Sequence, residues 1–73
     1  MTGTELAKLR QSLPSARSTQ AAFARFIGVG HRTLQGYEAA DEVPAYIDTS
    51  ARALIELRAR MTADEFSTFL TQL

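Results

Sequence analysis

Apolar residues recur along this chain at the three-and-four spacing of amphipathic helices, and no stretch alternates with the two-residue period of a strand. Leu6, Leu9 and Leu13 share a face in a first helix, with Thr4 placed to cap its start and Pro14 to stop it. A second helix follows in TQAAFARFI, where Thr19 is the N-cap and Ala22, Phe23, Phe26 and Ile27 form the apolar stripe. After Gly28 the pattern resumes with Thr33, Leu34 and Tyr37, which predicts a third helix over about residues 31–39. The polar run AADEV reads as a linker, and Pro44 suits the first turn of a fourth helix, about 45–60, because its missing N–H has no intrahelical acceptor there. That helix carries a wide apolar band of Ile47, Ala51, Leu54, Ile55 and Leu57, with Met61 at its end. The last helix opens with the capping box TADE, Thr62 as cap and Glu65 reaching back, and places Phe66, Phe69, Leu70 and Leu73 on one face. The expected fold is all-α, a single five-helix domain over residues 1–73.

Three of the four glycines fall within residues 28–36, where the spacing otherwise asks for helix. Gly28 is expected to end the second helix in the left-handed conformation, and Gly30 to let the chain turn into the third. Gly36 lies inside the third helix, where glycine costs about 1 kcal/mol relative to alanine. Two short helices joined only by Gly-Val-Gly cannot continue in line and are too short for an extended hairpin. They must cross steeply, which is the geometry of a helix-turn-helix over about residues 19–39.

Charge gives this a direction. The formal net charge is zero, yet residues 1–37 hold five cations against Glu5, a net of +4, and residues 38–73 hold three cations against seven carboxylates, a net of −4. An anionic partner would therefore meet the N-terminal half. With no cysteine and a single histidine, neither disulfides nor zinc can staple the fold, and no cofactor is implied. No nucleophile stands with a base, no carboxylate pair sits in an apolar run, and no phosphate-loop motif occurs, so an enzyme is not expected. The absence of a membrane-length apolar run and of a basic leader makes a cytoplasmic location the expectation, with no membrane partner and no small-molecule ligand.

The stretch TQAAFARFIGVGHRTLQGYE resembles the helix-turn-helix of Cro and repressor-type (XRE-family) DNA-binding proteins. Counting from Gln20, the family pattern has a small residue at the fifth place, glycine at the ninth, and apolar residues at the fourth, eighth, tenth, fifteenth and eighteenth; Ala24, Gly28, Phe23, Ile27, Val29, Leu34 and Tyr37 fill them. The likeness runs over about residues 4–60. Two departures are a longer first connection, SARS, and Gly30 where the family often has a Ser or Thr cap. The resemblance implies a transcriptional regulator that binds a palindromic operator in duplex DNA as a homodimer and represses its own phage or bacterial operon. The third helix would enter the major groove.

His31, Arg32 and Gln35 are then the candidate base readers: Arg32 can pair with O6 and N7 of guanine, and Gln35 with adenine. A cation in the first turn of a helix opposes the macrodipole, so an external acceptor would relieve it. Thr19, Gln20, Thr33, Arg17 and Arg25 are candidate contacts to the DNA backbone, with Gln20 at a helix start where N–H groups receive an anion. Gly36 would let the helix approach the DNA closely. Glu38 at the end of the third helix opposes the dipole and asks for a cation; the family's usual pairing implies Arg10, whereas Tyr37 is expected in the core. The C-terminal helix, about 63–72, either closes the core or meets a symmetry mate through Phe66, Phe69, Leu70 and Leu73, and both can hold. A reading from another class is an antitoxin-like interaction module, whose acidic second half would neutralise a basic protein.

Overall fold

The computed structural model describes residues 1–14 and 17–72, and within them the chain forms five α-helices and no strand. These are α1 (Gly3–Gln11), α2 (Gln20–Ile27), α3 (His31–Ala39), α4 (Ala45–Arg60) and α5 (Ala63–Gln72). None is long and apolar enough to cross a membrane.

The helix starts show how local chemistry selects the boundaries. Thr2, rather than the expected Thr4, caps α1: its hydroxyl accepts from the Glu5 N–H at 3.1 Å, and its own N–H donates to Glu5 Oε1 at 3.0 Å. The reciprocal box needs a carboxylate three residues on, which Thr2 has and Thr4 lacks. Thr62 and Glu65 form the same box at α5, with bonds of 2.9 and 3.1 Å, as the TADE motif predicts. The Thr19 hydroxyl accepts from the Ala22 N–H at 3.1 Å and starts α2. Both box carboxylates, Glu5 and Glu65, are held below the ordinary carboxylate pKa, chiefly by the backbone N–H bonds they accept from Thr2 and Thr62. Gly28 ends α2 at φ 80°, and the Val29 N–H reaches back to the Ala24 carbonyl at 2.9 Å. That is a Schellman closure, in which a left-handed residue turns the chain while satisfying an orphan carbonyl. Gly30 caps α3 at φ −69°, an ordinary value, and a Cβ there would have room. Its glycine is therefore not demanded by the turn, contrary to the expectation.

The core joins all five helices through Leu6, Leu9 and Leu13, Phe23 and Ala24, Leu34, Ile47, Ala51 and Leu54, Phe66 and Leu70, with Val43 between α3 and α4. α1 packs mainly on α3, and α3 also on α2; α4 lies against α1 and carries α5. Two assignments change. Val43, read as linker, is 5% exposed and donates its N–H to the Met1 carbonyl at 3.0 Å, while Ile55 is 37% exposed. The band on α4 is wider than the surface that α1 and α5 cover.

The tightest approach involves a glycine outside the 28–36 cluster. Gly3 donates its N–H to the Ala40 carbonyl at 3.0 Å, and a Cβ at Gly3 would lie 2.4–2.6 Å from the carbonyl oxygens of Tyr37, Glu38 and Ala40. The first turn of α1 thus rests directly on the last turn of α3, where only a residue without a side chain fits.

Candidate nucleic-acid interface

α3 is anchored by few residues. Leu34 is fully buried and Tyr37 and Glu38 are half-buried, while His31, Arg32, Thr33, Gln35, Gly36 and Ala39 are exposed. At 3.6 residues per turn, Arg32, Gly36 and Ala39 fall on one outer line opposite Leu34. A Cβ at Gly36 would meet nothing within 4 Å, so nothing inside the protein requires glycine there. On one flank of this line stand His31 and Gln35; on the other stand Thr33 and Tyr37.

Each flank connects to the start of another helix. Gln35 Nε2 makes a long 3.4 Å contact to Gln20 Oε1, and Gln20 Nε2 donates to Glu38 Oε1 at 2.9 Å. Gln20 opens α2, so the flank that holds Gln35 abuts the beginning of that helix. On the opposite flank, the Tyr37 and Tyr46 hydroxyls lie 2.7 Å apart, and Tyr46 stands in the first turn of α4 with 60% of its surface exposed. The hydrogen bond to Tyr46 holds the Tyr37 hydroxyl above its ordinary pKa. Tyr46 escaped the sequence reading, although it falls off the Ile47, Ala51 and Leu54 stripe and is for that reason an aromatic with nothing to pack on.

Beneath the face lies the Arg10–Glu38 pair. Arg10 Nε donates to Glu38 Oε2 at 2.7 Å and a terminal N–H to Oε1 at 3.2 Å, while the guanidinium also donates to the Ser18 carbonyl. The two side chains are only 11% and 7% exposed. Two parallel charge-assisted bonds plus the Gln20 amide satisfy the carboxylate, as a pair so far from water requires. One end of α3 is thereby tied to α1 and to the start of α2.

The cations divide into occupied and available ones. Arg17, expected at the DNA backbone, is half-buried: it donates to the Leu70 carbonyl at 3.3 Å and lies 5.2 Å over the Phe26 ring. A guanidinium at the last turn of α5 meets the negative end of that helix and an aromatic face, so packing occupies it. Arg10 is likewise engaged. Among the described residues, Lys8, Arg25 and Arg32 are exposed and take part in no ion pair. The surplus of charge in the first half therefore reaches the surface through three residues rather than five.

The C-terminal helix offers less to a second copy than its sequence suggested. Phe66 and Leu70 are 3% and 2% exposed and belong to the chain's own core, and Leu73 lies outside the described residues. Of the three described, Phe69 remains half-exposed, in a groove of about 380 Å³ that Phe26, Ile27 and Leu57 also line. Among the described residues no charged side chain lines that groove.

The chain matches no family model, no curated protein and no solved structure. Among the described residues no three His, Cys, Asp or Glu side chains gather as a metal would require.

Proposed function

We propose that this protein is a sequence-specific DNA-binding transcription regulator of the Cro and repressor type, with α2 and α3 forming a helix-turn-helix and α3 lying in the major groove. The observation that carries the reading is the outer face of α3, which combines an unpaired Arg32, the polar His31, Thr33 and Gln35, and a side-chain-free position at Gly36. A major groove admits one helix and presents a distinct pattern of donors and acceptors for each base pair. Arg32 pairs with a guanine edge, and Gln35 keeps its Oε1 and one amide N–H for a base. His31 supplies a third contact.

Gln20 spends one amide N–H on Glu38 and its oxygen on Gln35, and its remaining N–H, beside the open start of α2, meets a phosphate. Thr19 uses only its oxygen in capping, so its O–H is free to donate as well. Thr33 and Arg25 complete the backbone contacts, and the engaged Arg17 drops out. The regulator acts as a homodimer on a palindromic operator, reading half-sites about 34 Å apart, and represses its own operon by covering the promoter. Phe69 and the uncharged groove beside it are the part of α5 left to meet a second copy. The reading assigns no catalytic step and no cofactor.

A mobility shift on the DNA upstream of its own gene tests this. A shifted band is expected at low salt, weakening as salt rises with a log–log slope of about −0.9 per phosphate neutralised. No shift at low salt overturns the reading; sedimentation as a monomer at high micromolar concentration overturns the dimer alone.

A further inference from the structure

Tyr46 is the most exposed large side chain with aromatic or aliphatic character in the described chain, and its hydroxyl is bonded to that of Tyr37. A pair of hydroxyls holds two protons and uses one between them. One O–H is left to donate outward. Tyr37 is half-buried and Tyr46 exposed, so the arrangement with an outward partner is Tyr37 O–H to Tyr46 oxygen and Tyr46 O–H to the external acceptor. An O–H whose oxygen already accepts a hydrogen bond is polarised into a stronger donor.

The position of the pair identifies the acceptor. Resting on the reading of α3 as the groove-binding helix, the two flanks of α3 face the two strands that wall the groove. The Gln20 amide stands on the flank of Gln35, and the Tyr46 hydroxyl on the flank of Tyr37. We propose that the Tyr37–Tyr46 hydroxyl pair donates a hydrogen bond to a DNA phosphate on the strand opposite the one that Gln20 contacts, so that α3 is clamped between both walls of the groove. The donor is neutral, so it sets the seating of α3 without adding to the salt dependence that the arginines create. The Tyr37 hydroxyl, its pKa raised by the bond to Tyr46, keeps its proton throughout the neutral range.

The test uses the full chain and duplexes selected by the wild type from a random library. Tyr46→Phe is expected to bind the selected duplex about tenfold more weakly per half-site, the loss of one hydrogen bond to a charged group, with the salt slope unchanged. Tyr37→Phe leaves the Tyr46 O–H in place and is expected to lose much less. Replacing one phosphate at a time by an uncharged methylphosphonate then locates the contact. One position that weakens the wild type is expected to leave Tyr46→Phe unaffected, on the strand opposite the position to which Gln20→Ala becomes insensitive. Equal losses in the two phenylalanine variants reduce the pair to a tie between α3 and α4 and overturn the proposal, as does wild-type affinity in Tyr46→Phe or an insensitive position on the Gln20 strand. A wild type that selects no duplex overturns the DNA-binding reading and this one together; the other outcomes leave that reading standing.

Discussion

Alanine substitutions at two helical glycines, Gly3 and Gly36, should shift stability in opposite directions, and the structure sets the size of each effect. At Gly36 the new methyl enters open solvent within α3, so the helix gains the propensity difference, about 1 kcal/mol. At Gly3 the same methyl would stand 2.4–2.6 Å from three backbone carbonyl oxygens of the α3 terminus. Carbon and carbonyl oxygen rest at about 3.3–3.6 Å, so α1 must retreat by roughly 1 Å. Backbone atoms cannot rotate aside as the end of a side chain does. The retreat strains packing by about 1–3 kcal/mol and weakens the Gly3 to Ala40 hydrogen bond, worth about 1 kcal/mol, against a propensity gain of at most about 1 kcal/mol. A net loss of about 2 kcal/mol is expected for Gly3→Ala. For a domain of this length 1 kcal/mol moves the midpoint by about 4–8 °C, so Gly3→Ala should melt roughly 8–16 °C below the wild type and Gly36→Ala roughly 4–8 °C above it. Thermal and urea unfolding followed by far-ultraviolet circular dichroism reads both. A Gly3→Ala protein as stable as the wild type would refute the close seating of α1 on α3, and a destabilised Gly36→Ala would refute the open environment of Gly36.

Further outcomes follow from the same geometry. Glu38→Gln leaves Arg10 as a nearly buried cation with no carboxylate, and should cost about 3 kcal/mol in urea unfolding; unchanged stability would mean that the pair contributes nothing. Because Glu5 and Glu65 have pKa values below their unfolded value of about 4.5, their contribution is present above that pH and is lost as pH falls through the folded values. The melting temperature should therefore fall on acidification below about pH 4.5, and less so in a Glu5→Gln, Glu65→Gln double variant; parallel curves would remove the capping boxes as its cause. On DNA, Arg32→Ala should narrow the affinity gap between selected and random duplexes by about 1–3 kcal/mol while changing the salt slope little, an outcome that an Arg32 solvated in the complex would not give. Gly36→Ala, more stable when free, should bind the selected duplex more weakly, and equal affinity would show that no close approach occurs at that position.

The element pattern was legible because helices are specified locally. Apolar spacing, the Thr19 cap, the Thr62 to Glu65 box and the left-handed Gly28 each act within about five residues of chain, and each appears where the sequence places it. Two threonines precede the first apolar stripe, and the box partner Glu5 decides between them in favour of Thr2. The site was legible as far as α3's own periodicity reached: Arg32, Gln35 and Gly36 are exposed as the stripe around Leu34 requires. Glu38's place at the end of α3 signals locally that it needs a cation, but its partner Arg10, 28 residues away, followed only from the family resemblance.

Residues whose roles depend on distant parts of the chain could not be read in this way. Gly3 is a glycine because Ala40 comes to lie against it, and Arg17 is withdrawn from the surface because α5 ends beside it. Tyr46 becomes a polar group at the edge of α3 because Tyr37 reaches it across the turn between two helices. Val43 is buried while Ile55 is exposed, the reverse of what their neighbours in sequence suggest. Composition and spacing decide whether a segment is helical and which face is apolar, since these are free energies of residues a turn apart. Which glycine is crowded, which cation is left over and which hydroxyls pair are settled by helices meeting, and that distance of approach is a property of the packed chain.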